Sequence, residues 1–324
     1  MEENKFMNPF ILFRRNNEKA KKYFHLIVNY LILKIKVKSI YLMERDYNDK
    51  NLLSQHSSKE FENKFHPLKI NNNIENDPTD ICINIGGDGH ILYSNYLYNS
   101  RLNPPPFLNF YIEKLGFLTI YPIEQYEKVL DNLYKYNNNY FEKHSLVNCI
   151  IYEESIDNID YKIVENIYAL NEIVIGRGTN LKMIGVEIYL NNEFLTKVNS
   201  DGLVFSTSTG SSGYNISSGG PLMHFEVDGI IFNAICPFSL SFRPIIFPKK
   251  YVIKVKLIKN ASEPVVINDM IATEKTIILK DNQFAEIKLS NKFINFIIVK
   301  NVCVDRMGLW KMKVKKYLGY ENNN

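Results

Sequence analysis

Up to about Ser145, short apolar runs alternate with amphipathic stretches. The runs Phe10–Phe13, Ser39–Met43, Ile81–Ile85 and Phe107–Phe110 predict strands, whereas Glu18–Ile35, Ile91–Asn99 and Ile123–Tyr136 carry helical patterns. In the last of these, Ile123, Tyr126, Val129, Leu130 and Leu133 fall on one helical face, and Pro104-Pro105-Pro106 marks a turn before the strand at Phe107. Strands alternating with helices predict a mostly parallel sheet covered on its faces.

After Ser145 the apolar period shortens to two. Val186–Leu190 and Phe194–Val198, joined through Asn191-Asn192, predict a hairpin, because asparagine accepts the positive φ of tight turns. Further strands are predicted at Ile230–Ile235, Tyr251–Ile258, Val265–Asn268, Thr276–Leu279, Phe284–Leu289 and Ile294–Val299. Met307, Trp310, Val314 and Leu318 then recur at near-helical spacing within Asp305–Tyr320. The expected architecture is an α/β domain with a mostly parallel sheet over residues 1–144, a β-rich, sandwich-like domain over residues 145–304, and a C-terminal helix and tail over residues 305–324. The asparagine runs Asn71–Asn73, Asn137–Asn139 and Asn322–Asn324 are too polar for a core and are read as loops or tails.

Composition agrees with this picture and narrows the function classes. A chain of 324 residues suits about two domains of roughly 150. Hydrophobic residues at 45% and charged ones at 23% match a soluble globular protein and exclude the disordered and collagen-like classes. The net charge of +4 is too mild for a nucleic-acid platform, so no nucleic-acid partner is expected. Cys82, Cys149, Cys236 and Cys303 are dispersed without a Cys-x-x-Cys pair, which argues against a disulfide framework or zinc site and for a reducing compartment. His25–Ile35, the best membrane candidate, is too short to span, and Glu2 and Glu3 fit neither a secretory signal nor a transit peptide. A cytoplasmic chain without membrane contact is expected.

Four segments carry candidate chemistry. Ile81–Ile85 runs into Gly86-Gly87-Asp88-Gly89 just before a predicted helix. Glycines let backbone N–H groups approach an anion, and the helix N-terminus adds its dipole, so a phosphate suits the turn. Asp88 then accepts a hydroxyl proton or helps to hold magnesium; the alternative is a tight turn in which Asp88 caps the helix. Asn171-Glu172 interrupts the apolar run Ala169–Ile175. If buried, the pair needs partners such as a nucleoside's hydroxyls and base edge; if exposed, it is a strand start in water. Asp201–Tyr214 and Asn215–Pro221 gather hydroxyls and glycines suited to phosphate or ribose, with Tyr214 against a ring. A flexible Ser/Gly linker is the alternative there, with Phe205 and Tyr214 weighing against it. Arg243, between Phe242 and Pro244, either clamps a phosphate or ties its own loop.

In their order and separations these segments resemble the NAD kinase family, from about Phe10 to Gly319. The resemblance rests on Gly86–Gly89, on Leu115-Gly116-Phe117-Leu118-Thr119, on Asn171-Glu172, on Thr207–Tyr214 beside the family's Thr-Pro-Thr-Gly-Ser-Thr-Ala-Tyr, on Ser239–Pro244 and on the closing Trp310–Tyr320 stretch. It implies magnesium-dependent transfer of the ATP γ-phosphate to the 2′-hydroxyl of the adenosine ribose of NAD, giving NADP. Asp88 would be the activating base, with Gly86, Gly87 and Gly89 cradling phosphates and Phe117 lining the pocket. Asn171 and Glu172 would hold the nucleoside, Asp201 the nicotinamide end, and Ser212, Tyr214 and Ser217 the adenosine and ribose region. No protein metal site is assigned, Mg2+ acting with ATP, and the family implies a homodimer or homotetramer. Two alternatives stay open: a lipid or sphingoid-base kinase sharing the Gly-Gly-Asp-Gly turn, and a non-catalytic NAD(P)-binding relative.

Several positions depart from the family. His90 stands where Thr is common, Tyr111 and Glu113 replace Asn and Gly, and Asn199-Ser200 replaces the Gly before Asp201. Ser208 replaces Pro and Phe238 a common His. Asp269-Met270 lacks the glycine of a late Asp-Gly turn, a change expected to reshape a hairpin rather than the chemistry.

Overall fold

The computed structural model describes residues 6–68, 77–137, 139–155, 160–258, 263–271, 276–300, 302 and 306–317. The chain forms two compact units: Met1–Lys143 with Ile294–Asn324, and His144–Phe293.

In the first unit, strands β1 (Pro9–Phe13), β2 (Ile40–Leu42), β3 (Phe65–Pro67), β4 (Ile81–Gly86), β5 (Phe107–Tyr111) and β6 (Tyr121–Pro122) alternate with helices. The helices are α1 (Glu18–Asn29), α2 (Glu44–Tyr47), α3 (Lys50–Leu53), α4 (Asp88–Leu97) and α5 (Tyr126–Tyr134). Every one of these strand pairs is parallel, in the order β5-β4-β1-β2-β3 with β6 beside β5. β4 is buried at all six positions, as a central parallel strand covered on both faces must be. Its one polar side chain, Asn84, donates to Asn109 Oδ1 at 2.9 Å and accepts from Ser94 Oγ at 2.6 Å, which ties α4 to the sheet.

α1 starts where the Asn17 side chain accepts the Ala20 N–H at 2.9 Å, and it buries Ala20, Phe24, Ile27 and Val28. The helix expected to run to Ile35 ends its α-helical part at Asn29. Tyr30–Ile35 continues as a wider π-helical segment that buries Leu31, Ile32 and Ile35 and stops at left-handed Lys36. The short helices α2 and α3 lie in a stretch without a readable apolar period, and periodicity does not predict them.

The remaining strands are β7 (Asn139–Glu154), β8 (Tyr161–Ala169), β9 (Glu172–Gly176), β10 (Ile184–Leu190), β11 (Glu193–Ser200), β12 (Gly202–Ser206), β13 (Gly229–Ile235), β14 (Ile245–Pro248), β15 (Ile253–Leu257), β16 (Val265–Asn268), β17 (Ile277–Ile278) and β18 (Gln283–Val299). A short helix α6 (Tyr214–Ser217) lies among them, and α7 (Arg306–Tyr317) follows them. In the second unit pairing is antiparallel. One sheet runs β14-β13-β12-β9-β16-β17, and β11-β10-β15-β18 forms a second, with β7 pairing β8. Phe205 and Phe232 of the first sheet share a buried core with Val186, Ile188, Val255 and Ile287 of the second, the two-layer burial of a sandwich. Asn191 and Asn192 take φ of 50° and 69° in the β10–β11 hairpin, as the turn requires.

Two strands expected at Phe284–Leu289 and Ile294–Val299 are one continuous strand, β18. The polar Ser290-Asn291-Lys292 between them is not a turn. It precedes the point, after Phe293, where the chain passes from one unit to the other. Phe296 then pairs in parallel with Phe107 of β5. The ends of the expected C-terminal helix, Asp305 and 318–320, and the runs Asn71–Asn73 and Asn322–Asn324 lie outside the described residues.

Candidate functional site

β4 ends at Gly86 and α4 begins at Asp88, with Gly87 as N-cap and no side chain capping the first turn. A Cβ on Gly87 or Gly89 would find nothing within 4 Å, so both border open space at the positive end of the helix. Gly86 is different. A Cβ there would meet His90 Nδ1 at 2.5 Å, so the glycine is what lets that ring pack over the strand end. Burial, then Arg14 and Arg45, lower the His90 pKa.

Asp88 does not cap α4. Its Oδ1 accepts from the Leu118 N–H, the Thr119 N–H and Thr119 Oγ1, each at 3.1 Å, and its Oδ2 from the Phe117 N–H at 2.7 Å. The glycine turn and the Leu115–Thr119 block are therefore one constellation. A Cβ on Gly116 would lie 2.0 Å from Asp88 Oδ1, so the loop closes on the carboxylate only with glycine there. Phe117 is half-buried. Of the departing residues, Glu113 accepts from Asn17 Nδ2 at 2.9 Å, which ties this loop to the start of α1.

The second unit carries its own constellation. Glu172 opens β9, is only 2% exposed, and pairs with Ser206 of β12. Glu172 Oε2 and Asn171 Oδ1 are buried with no hydrogen-bond partner among the described residues. Burial of such groups is costly, so the pair is not a strand start in water. Burial, and secondarily the nearby Asp269 carboxylate, push the Glu172 pKa up to about 8, against the Tyr214 N–H that bonds to it. Thr207–Tyr214 wraps this pair closely. A Cβ on Gly210 would lie 2.2 Å from the Asn171 carbonyl oxygen, and one on Gly213 would lie 3.2 Å from Glu172 Oε2.

The segment is not a flexible linker. Thr207 Oγ1 donates to the Leu170 carbonyl at 2.6 Å, Ser208 Oγ to that of Phe225 at 3.2 Å, and Ser211 Oγ to that of Ser208 at 2.8 Å. These hydroxyls hold the turn together. Ser212 and Tyr214 are half-buried and Ser217 is exposed, and Thr209 and Ser218 beside them are half-buried as well.

Asp201 is not brought to this cluster. It precedes Gly202, which pairs with Gly176 at the far end of β9, roughly 13 Å of strand from Glu172. There it forms an ion pair with Arg177 at 3.1 Å. Arg243 donates to the carbonyls of Leu240 and Phe242 at 2.9 and 2.7 Å, tying its own loop. Sequence reasoning passed over Asp269, whose carboxylate accepts the N–H groups of Leu170, Asn171 and Glu172 at 2.9, 2.6 and 3.3 Å. The only signal for it was an Asp-Met pair where a glycine turn was expected. Among the described residues no cluster of three or more His, Cys, Asp or Glu side chains suits a metal ion.

Residues 170–303 match the family described as the ATP-NAD kinase C-terminal domain. The chain is 36% identical over 182 residues to a protein of Oryza sativa subsp. japonica named probable NAD kinase 1, covering 56% of this chain and 34% of the relative. It is 36% identical over 177 residues to a mitochondrial NADH kinase of Schizosaccharomyces pombe, covering 55% of this chain and 44% of the relative. The chain thus spans less than half the length of these two curated relatives. Among solved structures it resembles yeast NADH kinase complexed with NADH, with a TM-score of 0.81 at 21% identity over 99% of this chain and 90% of that one. An NAD kinase from Archaeoglobus fulgidus in complex with ATP follows, with a TM-score of 0.63 at 20% identity over 94% of this chain and 98% of that one. At such identities these structures show the fold. No helix among the described residues is long and apolar enough to cross a membrane.

Proposed function

We propose that the chain, whose residues 170–303 match the ATP-NAD kinase C-terminal domain and which resembles curated NAD and NADH kinases, makes NADP by transferring the γ-phosphate of magnesium-bound ATP to the 2′-hydroxyl of the adenosine ribose of NAD. The observation that carries the reading is the Asp88 carboxylate, held at the start of α4 by three backbone N–H groups and one hydroxyl. Oδ1 takes three of those bonds and Oδ2 only one. A carboxylate offers about four lone-pair directions, so Oδ2 keeps room for the ribose hydroxyl.

As that hydroxyl gives its proton to Oδ2, its oxygen bonds to the γ-phosphorus in line with the β–γ bridging oxygen, and ADP leaves with the electron pair of the broken P–O bond. Gly86, Gly87 and Gly89 let backbone N–H groups at the α4 start hold phosphate oxygens. Asn171 and Glu172 hold the nucleoside through their unpartnered oxygens, with Ser212, Tyr214 and Ser217 on the adenosine and ribose, Phe117 lining the pocket and Asp201 at the nicotinamide end. Magnesium enters as part of the ATP substrate and neutralises charge on its phosphate oxygens, the usual mode for an ion that keeps its waters and binds phosphates.

The compartment we propose is the cytoplasm, supported by the buried free thiols of Cys82 and Cys149. Assembly as a homodimer or homotetramer is supported by the edge strand β14, which exposes Ile245 and Ile246. The deciding experiment incubates the chain with γ-labelled ATP, magnesium and NAD, with NADH and a sphingoid base as parallel acceptors. Label is expected in NADP. Label in the lipid alone, or NAD binding by calorimetry without any NADP, overturns the reading.

A further inference from the structure

β16 ends at Asn268, and Asp269 and Met270 follow with φ of 49° and 50°. Two adjacent non-glycine residues in the left-handed region cost conformational energy, and such strain persists only where surrounding contacts over-determine it. Those contacts converge on the tripeptide Leu170-Asn171-Glu172. Its three N–H groups all donate to the Asp269 carboxylate, which is 3% exposed. Its carbonyls accept from Thr207 Oγ1 at 2.6 Å, the Thr207 N–H at 2.9 Å and the Asp269 N–H at 2.9 Å. All the backbone polar groups of the tripeptide are thus engaged within the protein. Of its buried side-chain atoms, Asn171 Oδ1 and Glu172 Oε2 are without hydrogen-bond partners among the described residues.

We propose that Asp269 is the positioning residue of the nucleoside site: its carboxylate locks the Leu170–Glu172 backbone so that Asn171 and Glu172 present those two side-chain oxygens to the dinucleotide. The inference rests on the functional reading above and deepens it. Preorganisation of this kind lowers the ordering cost at binding, so its loss appears in the affinity for NAD rather than in the chemical step.

The electrostatics act in the same direction. Glu172 is faced by the Asp269 carboxylate from the turn after β16 and by the Tyr214 N–H from α6, and its pKa is raised to about 8. Near pH 7 Glu172 therefore holds its proton and offers both a donor and an acceptor. Above pH 8 it becomes a second buried anion beside Asp269, and its hold on a nucleoside weakens.

Asp269→Asn keeps the shape of the side chain but removes the charge and one acceptor oxygen. The expected result is a rise of about tenfold in KM for NAD with kcat changed by less than about threefold, as for loss of uniform binding. The pH midpoint of NAD affinity should fall below 8, and amide exchange at 170–172 should quicken. Unchanged KM, midpoint and exchange in the folded variant overturn the proposal. If Asp269→Asn fails to fold, Glu172→Gln supplies the second measurement. It should abolish the loss of NAD affinity between pH 7 and 9, and persistence of that loss overturns the proposal as well. A wild-type chain that binds no NAD overturns the functional reading itself. Quickened exchange in the variant would then mark Asp269 as a purely structural clamp, a separate outcome that also defeats the role proposed for it.

Discussion

Asp88 in the first unit and Glu172 in the second are carboxyl groups placed in opposite surroundings. Asp88 is half-buried and meets four donors from one loop, three of them backbone N–H groups. Glu172 is almost wholly buried, has one unpartnered oxygen, and faces another carboxylate. In the proposed reaction the donors orient Asp88 as an acceptor, with room at Oδ2 for a hydroxyl beside the Phe117 N–H. Burial pushes the Glu172 pKa up to about 8, which suits the proposed role of holding a ligand rather than accepting a proton from it. The residue types differ by one methylene; the environment assigns the role.

The contrast can be broken most severely at Asp88. Asp88→Asn should lower kcat by about 10³, within the range of a lost general base, while the melting temperature stays near that of wild type. NADP formation at an undiminished rate would remove Asp88 from the chemistry. The next effect is a pH dependence of stability. Glu172 titrates near 4.5 when exposed and near 8 when folded, so its contribution is complete below pH 4.5 and is lost as pH rises through 8. Denaturant titrations at pH 5 and pH 9 should differ by on the order of 3 kcal/mol through this group, and Glu172→Gln should remove that part of the difference.

Gly210→Ala places a Cβ 2.2 Å from the Asn171 carbonyl oxygen, and unfolding curves should show a loss of about 2 kcal/mol as the backbone moves aside. Thr119→Val removes one of the four donors to Asp88 and keeps the N–H bonds, so kcat should fall about fivefold, the effect of a hydrogen bond worth about 1 kcal/mol. The smallest change in stability is expected for Gly87→Ala, within about 0.5 kcal/mol because the added methyl meets nothing. Its KM for ATP should nonetheless rise, and an unchanged KM would show that Gly87 borders no phosphate.

The parts of the fold legible in advance were those where one face of the chain is buried regularly. β4, β5, β10 and β13 appear close to their apolar runs, because burial imposes the period that periodicity reads. α2 and α3 were not legible: each has four residues, too short for a helical period. The break expected between Leu289 and Ile294 failed for another reason. Polar residues there accompany the passage of one strand between two units, which looks like a turn when only composition is seen. Among site residues, Gly86–Gly89 and Asn171-Glu172 stood out because glycines and a polar pair interrupt apolar runs. Asp269 did not, because a lone aspartate in a turn has many ordinary explanations.

By itself, then, the sequence determined the two kinds of architecture, the turn that holds Asp88 and the polar pair at the head of β9, since these follow from local period and residue type. Only the tertiary structure decided that Asp88 binds the 117–119 loop instead of capping its helix, that Ser and Thr between 207 and 211 hold a turn together, and that Asp269 lies beneath Asn171 and Glu172. Each of these joins segments 29 to 99 residues apart, or settles which of several donors an oxygen accepts from. Such choices depend on which buried groups packing brings within 3 Å of one another, and no local pattern along the chain encodes that distance.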